Sequence, residues 1–134
     1  MSVAKAKELD LAPLGEIVGY GMVAGPDNSL LTQPSRAILK AAQKAGVEVG
    51  SIDLFEINEA FAAVGLASVD DLGIDEDKVN VNGGAIALGH PVGMSGTRVA
   101  LTALLELRRR GASTAAVALC GGGGQGDAAI LRVI

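Results

Sequence analysis

Thr114-Ala115-Ala116-Val117-Ala118-Leu119-Cys120-Gly121-Gly122-Gly123-Gly124-Gln125-Gly126-Asp127-Ala128-Ala129-Ile130-Leu131-Arg132-Val133-Ile134 closes the chain with two apolar segments joined by glycines. Thr114 to Leu119 reads as a strand ending at Cys120, and Ala128 to Ile134 as a second strand. Parallel neighbours need roughly a dozen or more connecting residues, usually a helix, so the glycine turn makes these two strands antiparallel. The turn formally satisfies G-x-G-x-x-G, but a dinucleotide fingerprint needs a strand before it and a helix after it. A strand follows here, which excludes that site.

Immediately upstream, Ser95 to Arg110 has the spacing of the longest helix. Val99, Ala100, Leu101, Ala103, Leu104, Leu105 and Leu107 are apolar, whereas Arg98, Thr102, Glu106 and Arg109/Arg110 form one narrow stripe. A helix apolar around most of its circumference is expected to be buried on more than one side. Arg108-Arg109-Arg110 falls at the helix end, where cations suit the dipole.

Further upstream, Val79 to Asn82 is expected as a short strand and Ile52 to Ile57 as another. Between them a helix is expected to begin near Asn58, run through residues 59–72 and close at Gly73. Ser35 to Ala45 predicts a helix with Ser35 as N-cap and Gly46 as terminator. Residues 14–24 read as the first strand. The order β-α-β-α-β-α-β-β implies an α/β domain: a mostly parallel five-stranded sheet, its last strand antiparallel, with helices on both faces.

The chain has 134 residues, 49% of them hydrophobic, and a net charge of -4. That length suits one domain, and that charge excludes an electrostatic nucleic-acid binder as well as a disordered chain. No apolar run approaches the ~18 residues of a bilayer span, and the polar start lacks a secretory signal, so the expected location is cytoplasmic with no membrane partner. One cysteine, Cys120, excludes an internal disulfide, and with one histidine, His90, it leaves no structural zinc set. Tyr20, Phe55 and Phe61 are the only aromatic residues, too few for a base-stacking platform.

Chemistry is therefore confined to few side chains. Gly89-His90-Pro91-Val92-Gly93-Met94-Ser95-Gly96-Thr97 precedes a helix but lacks the lysine of a phosphate loop. Around His90, Cys120 and Asn58 the glycines leave room for a ligand or a second backbone to come close. Each residue also has a purely structural role open to it. Cys120 could be a small buried hydrophobe, His90 a loop hydrogen-bonder, Asn58 an N-cap, and Glu59 an acid at the first turn of a helix.

Taken together, Asn58-Glu59-Ala60-Phe61-Ala62, then Asn82 to Pro91 with Gly93, Ser95-Gly96 and Arg98, then Cys120-Gly121-Gly122-Gly123, resemble three signatures of the thiolase family, in order. The resemblance runs from Pro13 to Ile134 and is closest to the acetyl-CoA acetyltransferase branch. It implies a thiolase-like C-terminal core domain over 1–134, with 1–12 a leader or linker remnant and the N-terminal nucleophile domain absent. It also implies Claisen condensation of acetyl-CoA or thiolytic cleavage of 3-ketoacyl-CoA, within fatty acid metabolism. His90 would be the general base that activates a cysteine of the other domain. Cys120 would carry the proton to or from C2 of acetyl-CoA, its thiol open to being lowered by nearby imidazolium or donors. Asn58 would hold a water that joins His90 in stabilising an oxygen anion, and the Gly122 N–H would serve a second oxyanion hole.

No cofactor is expected to bind tightly, since coenzyme A and acyl-CoA enter as substrates. With its only cysteine matched to the proton-carrying position, the chain lacks the nucleophile. It is expected to be inactive alone and to work with an N-terminal thiolase domain or subunit in a homo- or hetero-oligomer. The competing expectation is a non-catalytic binding or scaffold subunit, or an inactive fragment, that keeps the fold.

Overall fold

In the computed structural model, which describes residues 1–134, four strands form one sheet. They are β1 (Gly15–Ala24), β2 (Leu54–Ile57), β3 (Thr114–Gly121) and β4 (Gln125–Val133), in the spatial order β1-β4-β3-β2. β2 runs parallel to β3, while β4 is antiparallel to both β1 and β3. Three strands thus share one direction and the last opposes them, as the glycine turn requires. Gly121 pairs with Gln125, and Gly123 and Gly124 turn the chain at φ +84° and +76°, which side chains rarely adopt.

The expected fifth strand is reduced to a single parallel bridge, Phe55 to Val79. Asn80 adopts φ +49° and ends the extended run. Its side chain replaces the backbone ladder: Oδ1 accepts from the Ile57 N–H at 2.8 Å and Nδ2 donates to the Ile57 carbonyl at 2.9 Å.

Helices cover both faces. On one, α2 (Gln33–Ala45) packs Ala37, Ile38, Ala41 and Ala42 against Phe55, Ile57, Ala116, Ala118, Ala128 and Ile130. On the other, α5 (Ser95–Arg110) packs Val99, Ala103 and Leu107 against Leu54, Ala115, Val117 and Leu131. Alternate residues of β3 therefore serve opposite layers, which is why its sequence is apolar without interruption. α1 (Val3–Glu8) lies in the segment expected as a leader, α3 (Ala62–Leu72) follows β2, and α4 (Ala85–Leu88) is a single turn. No helix is long and apolar enough to cross a membrane.

Several helix starts differ from expectation. α2 begins at Gln33 with Pro34 in its first turn, where proline is preorganised, so Thr32 rather than Ser35 occupies the N-cap position. α3 begins at Ala62, not near Asn58, because the Asn58 N–H still pairs with the Ala118 carbonyl at 2.9 Å. The helix ends match, with Gly46 and Gly73 as left-handed C-caps, and Gly111 caps α5 in the same way. α5 is buried on one side only, leaving Leu101 and Leu105 at 44% and 50% exposure. Glu106, placed by its spacing on the polar stripe, is buried and held by Arg109 and Arg110.

α2 lies directly on β1 because glycines leave it room. A Cβ on Gly21 would land on the Ala37 carbonyl oxygen and the Ala41 amide, and one on Gly19 would land on the Ala41 carbonyl oxygen. Gly21→Ala is expected to cost about 1–3 kcal/mol by overpacking, read as a lower denaturation midpoint in urea. An unchanged midpoint would show that α2 rides further from the sheet.

Candidate active site

Asn58 and Cys120 emerge at the carboxyl ends of the parallel neighbours β2 and β3, the edge where α/β sheets place ligands. Asn58 is not an N-cap. It is 1% exposed, its Oδ1 has no partner, and its Nδ2 lies 3.5 Å from His90 Nε2. A buried acceptor without a donor marks a place for water or a polar ligand.

His90 stands in the exposed loop between α4 and α5, and its orientation is set from behind. Ser95 Oγ lies 2.6 Å from His90 Nδ1 and 3.1 Å from the Pro91 carbonyl, and Ser95 is fully buried. A carbonyl only accepts, so the hydroxyl proton goes to Pro91 and the oxygen accepts from Nδ1–H. That arrangement leaves the Nε2 lone pair free and turned toward the Asn58 amide, a donor. The imidazole is thus held as a base at Nε2. Ser95 falls within the sequence signature, yet its role is missed there; the available signal is a hydroxyl residue at the first position of the helix that follows His90.

Burial pushes the Cys120 thiol up, and its own backbone N–H only partly opposes this. The lowering expected from a nearby imidazolium is not found in this chain. Gly122 lies in the exposed β3–β4 turn, and its N–H donates to no protein acceptor. Glu59, expected to favour a helix dipole, instead accepts hydrogen bonds from Asn80 Nδ2 and the Ile86 N–H. Beneath α5, burial pushes the Glu56 carboxyl up to about 7 against the pull of Arg98, whose guanidinium is buried without a hydrogen-bond partner. Two surface clefts lie elsewhere, one beside Met22 and Arg36, the other around Met1 and Ile17. No group of three or more histidine, cysteine or acidic side chains is arranged to hold a metal ion.

The family model for the thiolase C-terminal domain matches residues 11–133. A probable acetyl-CoA acetyltransferase of Mycolicibacterium smegmatis is 61% identical over 98% of this chain and 34% of its own length. The acetyl-CoA acetyltransferase of Schizosaccharomyces pombe is 44% identical over 98% of this chain and 33% of its own. Among solved structures, human mitochondrial 3-ketoacyl-CoA thiolase superposes with a TM-score of 0.93 at 46% identity, covering 98% of this chain and 34% of that one. The chain thus spans about a third of the length of the relatives it matches.

Two measurements check this geometry. Ser95→Ala removes the acceptor at Nδ1, so the ring is expected to shift toward the Nε2–H tautomer, read from the 15N resonances of the only histidine; an unchanged tautomer ratio contradicts the assignment. With its pKa raised, the Cys120 thiol is protonated at neutral pH and becomes thiolate only as pH climbs. Alkylation by iodoacetamide should be slow at pH 7 and rise with a midpoint above the ordinary thiol value of about 8.5. A midpoint at or below that value contradicts the assigned burial effect.

Proposed function

Because the chain belongs to the thiolase family, as a counterpart of its C-terminal domain, we propose that it supplies the acid–base half of an acyl-CoA C-acyltransferase site. A second, N-terminal domain or subunit would carry the cysteine that takes the acyl group. The names of the relatives, acetyl-CoA acetyltransferase and 3-ketoacyl-CoA thiolase, point to acyl-CoA thioesters. Coenzyme A would enter as a substrate, within fatty acid metabolism in the cytoplasm, and the working unit would be an oligomer.

The observation that carries the proposal is the imidazole fixed with its Nε2 lone pair toward Asn58. In the cleaving direction, His90 Nε2 takes the proton of the partner domain's cysteine, whose sulfur attacks the 3-keto carbonyl. The C2–C3 bond then breaks, the acyl group stays on sulfur, and the Cys120 thiol gives its proton to C2 to complete acetyl-CoA. Coenzyme A next takes the acyl group. Its thiol proton goes to Cys120, while His90 returns the proton it holds to the departing cysteine. A thiol raised by burial suits this task, since it stays protonated until the carbanion forms.

Asn58 Oδ1, buried and without a partner, would accept from a water that faces the developing oxyanion together with His90. The free Gly122 N–H would supply one donor of the second oxyanion hole, the other coming from the N-terminal domain. Exposed Leu101 and Leu105 on α5 support a covering partner.

The test mixes this chain with a cysteine-bearing N-terminal thiolase domain and follows coenzyme A-dependent cleavage of acetoacetyl-CoA. Activity is expected from the mixture and not from the chain alone. His90→Ala should lower kcat on the order of 10²–10⁴-fold. Active mixtures that tolerate His90→Ala, or that ignore Cys120→Ser as a scaffold subunit would, overturn the proposal.

A further inference from the structure

Next to Asn58 lies a carboxylate that the proposed chemistry does not use. Both oxygens of Glu59 are occupied as acceptors, Oε1 from Asn80 Nδ2 at 3.1 Å and Oε2 from the Ile86 N–H at 2.9 Å. Ile86 belongs to α4, whose N-cap position is Gly84 and so has no side chain with which to cap. Glu59 caps the turn from across the fold. A Cβ on Gly84 would land on the Glu59 carboxylate, so the missing side chain is what admits it. Asn80, the other partner, is tied on its far side to both the N–H and the carbonyl of Ile57.

We propose that Glu59 and Asn80 form a clamp that sets the separation of Asn58 and His90, acting as positioning residues for the base. Asn58 is held between two clamped neighbours, Ile57 and Glu59. His90 hangs from the far side of the same clamp, four residues after Ile86, through α4 and Gly89. Fixing the Glu59 carboxylate therefore fixes both members of the 3.5 Å pair relative to one strand. The ionised carboxylate is required because both of its partners are donors. A glutamine offers one acceptor and turns its NH2 against the other donor.

The catalytic meaning of the clamp rests on the role proposed for His90, whereas its geometry is tested without any activity. In this chain, with its single histidine, the ring 15N resonances and the proximity of the Asn58 amide protons to the His90 ring are read by NMR. Asp53→Asn is the matched control. Asp53 is a carboxylate at the opposite end of β2, where Oδ2 accepts from the Ser113 N–H at 3.0 Å and the Thr114 N–H at 2.9 Å.

Glu59→Gln is expected to abolish the Asn58–His90 proximity and displace the ring resonances, whereas Asp53→Asn leaves both as they are. Gly84→Ala should reproduce Glu59→Gln by pushing the carboxylate aside with every hydrogen-bonding group retained, and it decides the matter if Glu59→Gln does not fold. With an N-terminal domain present, kcat should fall on the order of 10²-fold for Glu59→Gln with KM unchanged, the scale of an ångström of misplacement. A folded Glu59→Gln or Gly84→Ala protein with an undisturbed His90 ring overturns the clamp. So does an Asp53→Asn effect of equal size, which would mean general loosening. Ring displacement in a mixture that never cleaves thioester would uphold the clamp and sink the proposed function instead.

Discussion

The parallel pairing of Leu54 to Ile57 with Ala115 to Ala118 is the constraint on which the site depends. Both strands are covered on each face, so their backbones have no water to fall back on and the ladder must be complete. Once that register is set, the chain after β2 has to leave the sheet at the edge where β3 also ends. Asn58 does so with its own N–H still bonded to Ala118, which is why it is buried and held where a loop asparagine would be mobile. Cys120, two residues beyond Ala118, is still paired with Gly126 of β4 and is only half buried. A slip of one residue would turn Ile57 and Leu54 to the wrong layers and carry both polar groups off the edge.

What was legible in the sequence was what a single element decides by itself. α5 runs from Ser95 to Arg110 as its apolar spacing says, and the glycines at 46 and 73 stop their helices through left-handed caps. The antiparallel last strand followed from the length of one turn. The misreadings at Asn80 and at Asn58-Glu59 share a cause in contacts between distant segments. Asn80 read as strand because its neighbours are β-branched, but its side chain finds Ile57 and the backbone turns away. Asn58 and Glu59 read as the start of a helix because their types suit one, but the first continues a ladder and the second reaches across to Ile86. Local propensity is overridden wherever a polar side chain can satisfy a backbone group of another element.

At the candidate site the single histidine and the single cysteine stand out in the sequence, whereas the contacts that orient them do not. Asn58 and Gly122 are singled out only by the resemblance of the motifs that hold them. Which nitrogen of His90 carries the proton depends on Ser95, and that depends on the Ser95 hydroxyl being claimed by Pro91. The direction of the Cys120 shift likewise depends on how deeply the thiol sits, which no motif encodes.

The apolar side chains around His90 bear on how such a site can work. Ile86, Leu88, Val92 and Met94 flank the histidine and are 67%, 56%, 84% and 44% exposed. Leaving this many large apolar groups in water around one loop is unfavourable, and such patches mark surfaces that meet another body. The same surface bears on the chemistry. An amide dipole and a ring nitrogen aimed at a developing charge are worth several-fold more in a dry, low-dielectric site than against bulk water, where the field is screened. A body that covers the loop would therefore satisfy the exposed side chains and strengthen the electrostatics at Nε2 in one step. The need to hide the loop and the need to dry the site would then be one requirement on any body that covers it.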